Sequence, residues 1–261
     1  MEFLSSVFIF FAGLWAGTIN SVVGSGTLVT FPVLIALGFA PVTASISNAM
    51  GLVAGSAAGA WGYRKELAGR RNQLLKLLPA SLLGGITGAY LLLHLPEMVF
   101  QYAAPALIVV ALLMVVFQPR LQRWVQTREE NPEHALRDKQ HGILLVVLVY
   151  LAGVYGGYFV AAQGILLVGI LGVFMAGTMQ NANAMKNILV LGVNLVAAAS
   201  YLLFAFDRIS WGAVGLIAVS SLIGGLVGSK VGRRLSPPVL RGVIFILGTV
   251  ALGFMIAKLL N

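Results

Sequence analysis

One lysine of this sequence stands at a position where a charge is costly. Lys186 lies inside a long apolar segment, whereas the other sixteen of the 17 Lys and Arg residues lie between such segments or near their ends. Counted from Thr178, it lies about 12 Å along the expected helix, near the middle of a bilayer. A cation at that depth costs at least about 2.5 kcal/mol, so we expect the ammonium to face a wet cavity, a partner or a substrate. The alternative is a side chain that extends along its stem to the membrane surface.

Amide side chains accompany this lysine along the same segment. Asn183 and Asn187 flank it, and Gln180, Asn181 and Asn194 lie nearby. Their NH2 groups donate hydrogen bonds, and together with an ammonium they could replace the water shell of an oxyanion. The equivalent stretch of the first half supplies Ser47 and Asn48. For any one of these polar residues, the alternative is a hydrogen bond that holds two helices together.

Glycine-rich breaks end the first apolar segment of each half of the chain, at 20–26 and at 155–164. Glycine allows the backbone to turn, and a short helix that starts after the turn directs its N-terminal amides toward whatever lies beyond it. The positive end of the helix dipole favours an anion there. Close helix packing is the other use of such glycines. The candidate binding residues at the two breaks are Asn20, Gly24, Ser25, Gly26, Gln163 and Gly164.

The remaining residues argue against most other chemistry. All eight acidic residues fall between apolar segments or at their ends, so no internal carboxylate is available to take up a proton or a cation. Sodium coupling through backbone carbonyls remains open. There is no cysteine, and the three histidines do not cluster. We therefore expect no metal, no cofactor, no catalytic residue and no enzymatic activity.

Composition places these residues in a membrane protein. Of the 261 residues, 59% are hydrophobic and 10% are charged, against about one quarter charged in an average soluble domain. The apolar runs are long and do not alternate, which predicts helices and excludes a β-barrel. Ten segments are expected, at 3–23, 27–37, 42–61, 74–95, 98–117, 141–160, 165–176, 178–206, 211–228 and 239–260. The second of each five is too short for an ordinary span, so it either crosses steeply or re-enters.

The two sets of five resemble each other. Residues 81–88, SLLGGITG, match residues 221–228, SLIGGLVG, 140 residues later. Basic residues crowd the loop at 62–73 but not its counterpart around Asp207, and they crowd 229–241 but not the counterpart at 89–98. Because Lys and Arg favour the cytoplasmic side, the second set must enter the membrane in the opposite sense. The net charge of +9 is explained in the same way, without nucleic acid.

These observations predict an all-α integral membrane protein. It contains two inverted-topology repeats of about five helical segments each, with short or broken helices at mid-membrane. Residues 1–118 form repeat one, 119–140 a cytoplasmic linker and 141–261 repeat two. The protein is expected in the cytoplasmic (inner) membrane, crossing it several times with both termini outside.

The sequence also resembles a known family. The stretch from Gly17 to Pro32 has a Gly-x-Gly turn before a short apolar helix, and it is followed by 44–63 and a basic loop. This pattern resembles the sulfite exporter TauE/SafE family of transporters over nearly the whole chain. The resemblance implies transport of sulfite, sulfoacetate or related sulfonates. Ser25 and the second-half sequence AAQG, at 161–164, depart from the longer glycine run common in the family, which bears on the substrate more than on the fold.

The sequence thus favours a secondary transporter for a small anion, with Lys186 as the main countercharge. A passive anion channel and a non-transporting membrane scaffold or assembly protein are the alternatives. The expected partners are the anionic substrate and the lipid bilayer, a homo-oligomer is left open, and nucleic acid is not expected.

Overall fold

The computed structural model describes residues 2–129, 142–175, 178–231 and 237–260. In these ranges the chain forms ten α-helices and two short 3-10 turns, Arg64–Leu67 and Phe206–Arg208. The helices are α1 (Phe3–Val22), α2 (Thr27–Ala36), α3 (Pro41–Gly62), α4 (Arg71–His94), α5 (Glu97–Glu129), α6 (Gly142–Phe159), α7 (Gln163–Phe174), α8 (Met179–Phe204), α9 (Trp211–Val231) and α10 (Pro237–Leu260).

Local sequence accounts for several helix ends. Pro41 occupies the first turn of α3, where a missing N–H costs nothing. Thr178 caps α8 by accepting a hydrogen bond from the backbone N–H of Asn181, whose side chain accepts one from the Thr178 N–H. Gly24 has a φ of +93°, which glycine adopts without strain, and it turns the chain after α1.

Helices α1, α3 and α9 form a first group that runs in one direction. Gly13 packs against Ser220, and one turn later the Thr18 hydroxyl donates to the Gly224 carbonyl at 3.0 Å. Residue numbers rise together along both helices, so α1 and α9 are parallel. Helices α3 and α9 are also parallel, because Gly51 contacts Ile217 and the later Gly62 contacts the later Ser229.

Helices α4, α6 and α8 form a second parallel group. Gly84 lies against the Tyr150 carbonyl and Gly88 against the Val154 carbonyl, so α4 and α6 run together. Helices α4 and α8 are also parallel, because Ser81 contacts Leu189 and the later Gly85 contacts the later Val196. Each group therefore contains two helices from one half of the chain and the fourth helix from the other half.

The two groups run in opposite directions. Asn194 of α8 donates to Ser56 of α3, whereas the later Gly59 lies near the earlier Asn187. Residue numbers therefore rise along α3 as they fall along α8. Ser56 and Asn194 are 138 residues apart, close to the 140-residue offset between the two halves. Contact between equivalent positions is expected near an axis that relates two similar halves.

The short helix α2 folds back along α1. Asn48 of α3 hydrogen-bonds to the first turn of α2, whereas Asn20, near the end of α1, contacts α3 eight residues later, at Ser56. The start of α2 therefore lies nearer to the start of α3 than the end of α1 does. From there α2 runs toward the start of α3, to which it is joined by residues 37–40 alone. Helices α1 and α2 therefore form a hairpin with its tip at 23–26. The equivalent α6–α7 hairpin has its tip at 160–164, where Gly156 of α6 packs against the Gln163 side chain.

The all-α membrane fold is confirmed. Six of the described helices are long and apolar enough to cross a bilayer, namely α1, α4, α5 over Glu97–Phe117, α6, α8 and α9 over Trp211–Lys230. The opposite orientation of the two halves relative to the membrane stays a prediction, as do the predicted repeat boundaries. The predicted linker at 119–140 begins within α5, and its part from 130 onward lies outside the described residues, as do the basic positions at 233 and 234.

Candidate functional site

The side chain of Lys186 is fully buried and points from α8 of the second half toward α1 of the first half. Its exposed fraction is 0%, and its Nζ donates to the backbone carbonyl of Asn20 at 2.9 Å. A lysine that extended to the membrane surface would instead be exposed, so that alternative does not describe this side chain. Among the described residues, the structure pairs no carboxylate with this ammonium.

The carbonyl that Lys186 contacts belongs to the broken end of α1. The last-turn carbonyls of a helix have no partner within it, and at this end the Gly24 N–H bonds to Ile19 instead of Asn20. Asn183 and Asn187 both direct their Nδ2 groups to the next carbonyl, that of Ser21, at 3.3 and 3.4 Å. One cation and two amides of α8 thus satisfy the negative end of the α1 dipole.

A second layer of polar contacts lies beside these carbonyls. The Asn20 side chain donates to the Ser56 hydroxyl at 3.3 Å, and the Asn194 side chain donates to the same hydroxyl at 3.1 Å. Ser56 of α3 therefore links α1 to α8 close to Lys186. We call these residues the Lys186 cluster, and they come from both halves of the chain: Asn20, Ser21, Ser56, Asn183, Lys186, Asn187 and Asn194.

The two hairpin tips meet beside this cluster. The Gly164 N–H donates to the Gly24 carbonyl at 3.1 Å. A Cβ atom added at Gly24 would lie 2.6 Å from the Gly164 Cα, and one added at Gly164 would lie 2.5 Å from the Gly24 Cα. No side chain fits at either position without movement, so glycine is required for this approach.

Several buried polar atoms near the tips have no hydrogen-bond partner in the described part of the chain. Gln163 is 0% exposed, and both its Oε1 and its Nε2 are unpartnered. The hydroxyl of Ser25 at the other tip is likewise buried and unpartnered. Asn183 and Asn194 each use their NH2 group and leave Oδ1 without a partner. Buried polar atoms are normally paired, so these are the atoms that a bound water or a polar ligand would pair.

Two predicted site residues lie apart from Lys186. Asn48 donates to the Thr27 hydroxyl at 3.3 Å and accepts from the Thr30 hydroxyl, so it joins α3 to α2. The Ser47 hydroxyl accepts from the Ser210 N–H at 3.0 Å, about 13 Å along α3 from Ser56. Both side chains therefore hold helices or loops together.

The other predicted residues lie in the cluster or at the hairpin tips. Gly26 is packed against the Ala16 carbonyl, where a Cβ would lie 2.2 Å from the oxygen, so it is needed for the fold of its own hairpin. The predicted residues that lie in the cluster or at the tips are Lys186, Asn183, Asn187, Asn20, Gly24, Ser25, Gly26, Gln163 and Gly164.

Sequence reasoning did not select Ser21 or Ser56 as site residues. Ser21 contributes only its backbone carbonyl, which no side-chain pattern reveals. Ser56 could have been found, because it lies 138 residues before Asn194, close to the offset between the two halves. Among the described residues, no group of His, Asp and Glu side chains could hold a metal ion.

The arrangement presents hydrogen-bond donors of the kind that an anion accepts from, and among the described residues it pairs no carboxylate with the lysine. The Lys186 ammonium has three N–H donors, of which one is used by Asn20. The amides around it can each exchange a carbonyl acceptor for a ligand oxygen. A desolvated cation without a carboxylate partner is stabilised by an anionic ligand.

Comparisons with known proteins agree with one another. A sequence model described as sulfite exporter TauE/SafE matches residues 9–255. The "Probable membrane transporter protein YfcA" of Escherichia coli K12 is 26% identical, over 97% of this chain and 88% of that protein. The "Probable membrane transporter protein ORF9" of a Sinorhizobium species is 25% identical, over 85% and 81%. A "Probable membrane transporter protein" of Haemophilus influenzae is 22% identical, over 92% and 89%. No solved structure matches the chain significantly.

Proposed function

The chain belongs to the sulfite exporter TauE/SafE family, and we propose that it is a secondary transporter that carries a small sulfur oxyanion or organosulfonate across the cytoplasmic membrane. The family match extends over nearly the whole chain, and the six apolar helices describe a multi-pass membrane protein. The anionic nature of the substrate is supported by the site and not by the names of relatives.

The observation that carries this proposal is the environment of Lys186. Its ammonium is fully buried between the two halves, its hydrogen-bond partner is the neutral carbonyl of Asn20, and no described carboxylate compensates its charge. Desolvation of such a group costs several kcal/mol. An oxyanion at this position would supply the missing charge and accept the two N–H groups that Asn20 does not use.

Binding would involve an exchange of hydrogen bonds at the broken end of α1. In the structure, Lys186, Asn183 and Asn187 all donate to carbonyls of this end. An oxyanion that accepts from the same donors competes with those carbonyls, and it thereby loosens the contact of α8 with the α1–α2 hairpin. The ligand would therefore bind more tightly when the hairpin is loosened from α8 than when it is in contact with α8. Such a difference in affinity is what couples binding to movement.

Ligand-induced stabilisation of the purified protein tests the substrate class. Sulfite and sulfoacetate are expected to raise the unfolding temperature more than acetate or chloride at equal ionic strength, because a ligand that binds the folded state stabilises it by about 2.7 kcal/mol at one hundred times its Kd. Equal shifts with all four anions would contradict a selective site.

Flux in proteoliposomes separates a transporter from the alternatives. A carrier moves labelled sulfite at a saturable rate, whereas conductance far above carrier turnover would identify a channel. Absence of flux for every anion that stabilises the protein would indicate a scaffold.

We further propose that the two halves cross the membrane in opposite senses, with both termini outside. The antiparallel groups α1–α3–α9 and α4–α6–α8 support this orientation, because equivalent helices of the two halves fall in opposite groups. The basic loop before α4 then faces the cytoplasm and the turn after α8 faces outward.

Single cysteines can test this orientation without further engineering, since the chain contains no cysteine. Ala68→Cys and Pro96→Cys both place the thiol at an exposed position. In intact cells, a membrane-impermeant maleimide is expected to label the cysteine at 96 and to leave the one at 68 unlabelled until the cells are opened. The reverse pattern would place both termini inside.

A further inference from the structure

A groove lined entirely by apolar side chains runs between α5 and α7, away from the Lys186 cluster. Its volume is about 550 Å³. Val110 and Phe117 mark its two ends on α5, and Ile165 and Phe174 mark them on α7. Several lining residues of α5 are exposed, with Val110 40% and Phe117 50% exposed, so the groove opens on the outer surface of the helix bundle.

The groove runs away from the α6–α7 hairpin tip, and on α5 it begins at Val110, ten residues past Phe100. Phe100, near the start of α5, packs against Phe159, the last residue of α6, with ring centroids 5.9 Å apart. From that level α5 continues toward Phe117, and α7 starts four residues after Phe159 and ends at Phe174. The two walls are therefore parallel, and the groove ends where Phe117 and Phe174 lie.

The length of the groove corresponds to half of a bilayer. From Ile165 to Phe174 α7 rises about 14 Å, and from Val110 to Phe117 α5 rises about 11 Å. The hydrocarbon core of one leaflet is about 15 Å thick. A cavity of this depth, open to the lipid along its side, can accommodate an acyl chain.

A cation lies just beyond the end of the groove. Arg120 is exposed, one turn of α5 past Phe117, and its guanidinium lies 5.5 Å from the centroid of that ring. It also lies seven residues after the groove residue Leu113, which places it on the same face of α5. An arginine at this level binds a phosphate oxygen well, because its planar group donates two hydrogen bonds.

We propose that the α5–α7 groove binds one anionic phospholipid from the leaflet on the Arg120 side. One acyl chain lies along the groove between Val110 and Phe117, and the phosphate of the headgroup is held by Arg120. The lipid supports the outer face of α7, the helix that carries Gln163 and Gly164 to the hairpin tip. The positive charge of Arg120 favours a headgroup with a net negative charge over a zwitterionic one such as phosphatidylcholine, whose phosphate is offset by its own choline cation.

Native mass spectrometry of the full chain, released from nanodiscs of equal parts phosphatidylglycerol and phosphatidylcholine, tests this proposal. The wild-type chain is expected to retain one phosphatidylglycerol. Arg120→Gln should reduce its preference for phosphatidylglycerol by about fivefold, the effect of one basic residue near a membrane surface. Lys230→Gln, which removes an exposed lysine on α9, is the control and should keep the preference.

A second pair of variants tests the groove itself. Val110→Trp fills the cavity and should abolish lipid retention, whereas Val109→Trp adds the same bulk at a neighbour that is 41% exposed but does not line the groove. The proposal is overturned if Val110→Trp and Arg120→Gln retain phosphatidylglycerol as the wild type does, or if phosphatidylcholine is retained equally well. It is also overturned if Val110→Trp converts a dimer to a monomer without changing lipid retention, because the groove would then hold a second copy of the chain.

Discussion

Replacing Lys186 by methionine is expected to reduce transport of the proposed substrate, measured with sulfite, about 10- to 150-fold. Hydrogen bonds to charged groups contribute about 1.5–3 kcal/mol, and the ammonium is fully buried where the two halves meet, so little solvent screens its interaction with an anion. Methionine has a similar length and no charge, so the packing around position 186 is kept while the countercharge is lost. Transport into proteoliposomes measures the effect, and Lys186→Arg should restore part of it.

Stability measurements distinguish this binding role from a purely structural one. Methionine leaves the Asn20 carbonyl without its partner, at a cost of about 1–3 kcal/mol, but it also removes a desolvated charge that costs several kcal/mol. The substrate-free unfolding temperature should therefore stay unchanged or rise, while the shift caused by sulfite disappears. A Lys186→Met protein that unfolds at a much lower temperature and still binds sulfite would show that the lysine only caps α1. Lys76→Met, at an exposed position of α4, controls for loss of one charge.

Replacing Gly24 by alanine is expected to separate the two hairpin tips and to abolish transport. The new Cβ would meet the Gly164 backbone at 2.6 Å, and the φ of +93° disfavours any L side chain. Overpacking costs about 1–3 kcal/mol and the left-handed backbone about 1–2 kcal/mol. We therefore expect a loss of about 3 kcal/mol in stability, measured as a lower unfolding temperature, together with loss of flux.

The chain provides a matched control for the backbone contribution. Gly38 has a φ of +88°, and a Cβ there would meet nothing within 4 Å. Gly38→Ala should therefore show the conformational cost alone and keep transport, while Gly164→Ala should show the steric cost alone. Equal effects of Gly24→Ala and Gly38→Ala would mean that the contact between the tips contributes nothing.

Features with a local cause could be predicted from the sequence. The ten helices agree with the apolar segments to within a few residues at most ends, because long apolar runs and Gly or Pro breaks act within one or two turns. The position of Lys186 inside a helix, its burial and the turn at Gly24 follow from the same kind of signal. The extension of α5 to Glu129 was missed, because eight of its last twelve residues are polar or charged and the rest form no apolar run.

Features that depend on contacts between the halves could not be predicted. Lys186 and Asn20 are 166 residues apart, and the acceptor is a backbone carbonyl that every residue possesses. Ser47 and Asn48 lie in the equivalent stretch of the first half, yet Ser47 bonds to Ser210 of the second half and Asn48 bonds to Thr27 and Thr30, all away from Lys186. Similar sequences in two halves indicate similar helices, but which copy contributes to a site depends on packing across the axis between them.

The packing of α1 against α9 has a consequence for how the chain is made. Thr18 and its acceptor Gly224 are separated by 206 residues, which a ribosome adds in about 10–40 s. During that time the glycine face of α1, including Gly13 and Gly17, is in the membrane without the helix that will cover it. Tertiary assembly of this bundle therefore waits for synthesis of its ninth helix. A nascent chain cut short after α5 leaves the faces of α1, α3 and α4 that pack on later helices open to lipid or to membrane proteases.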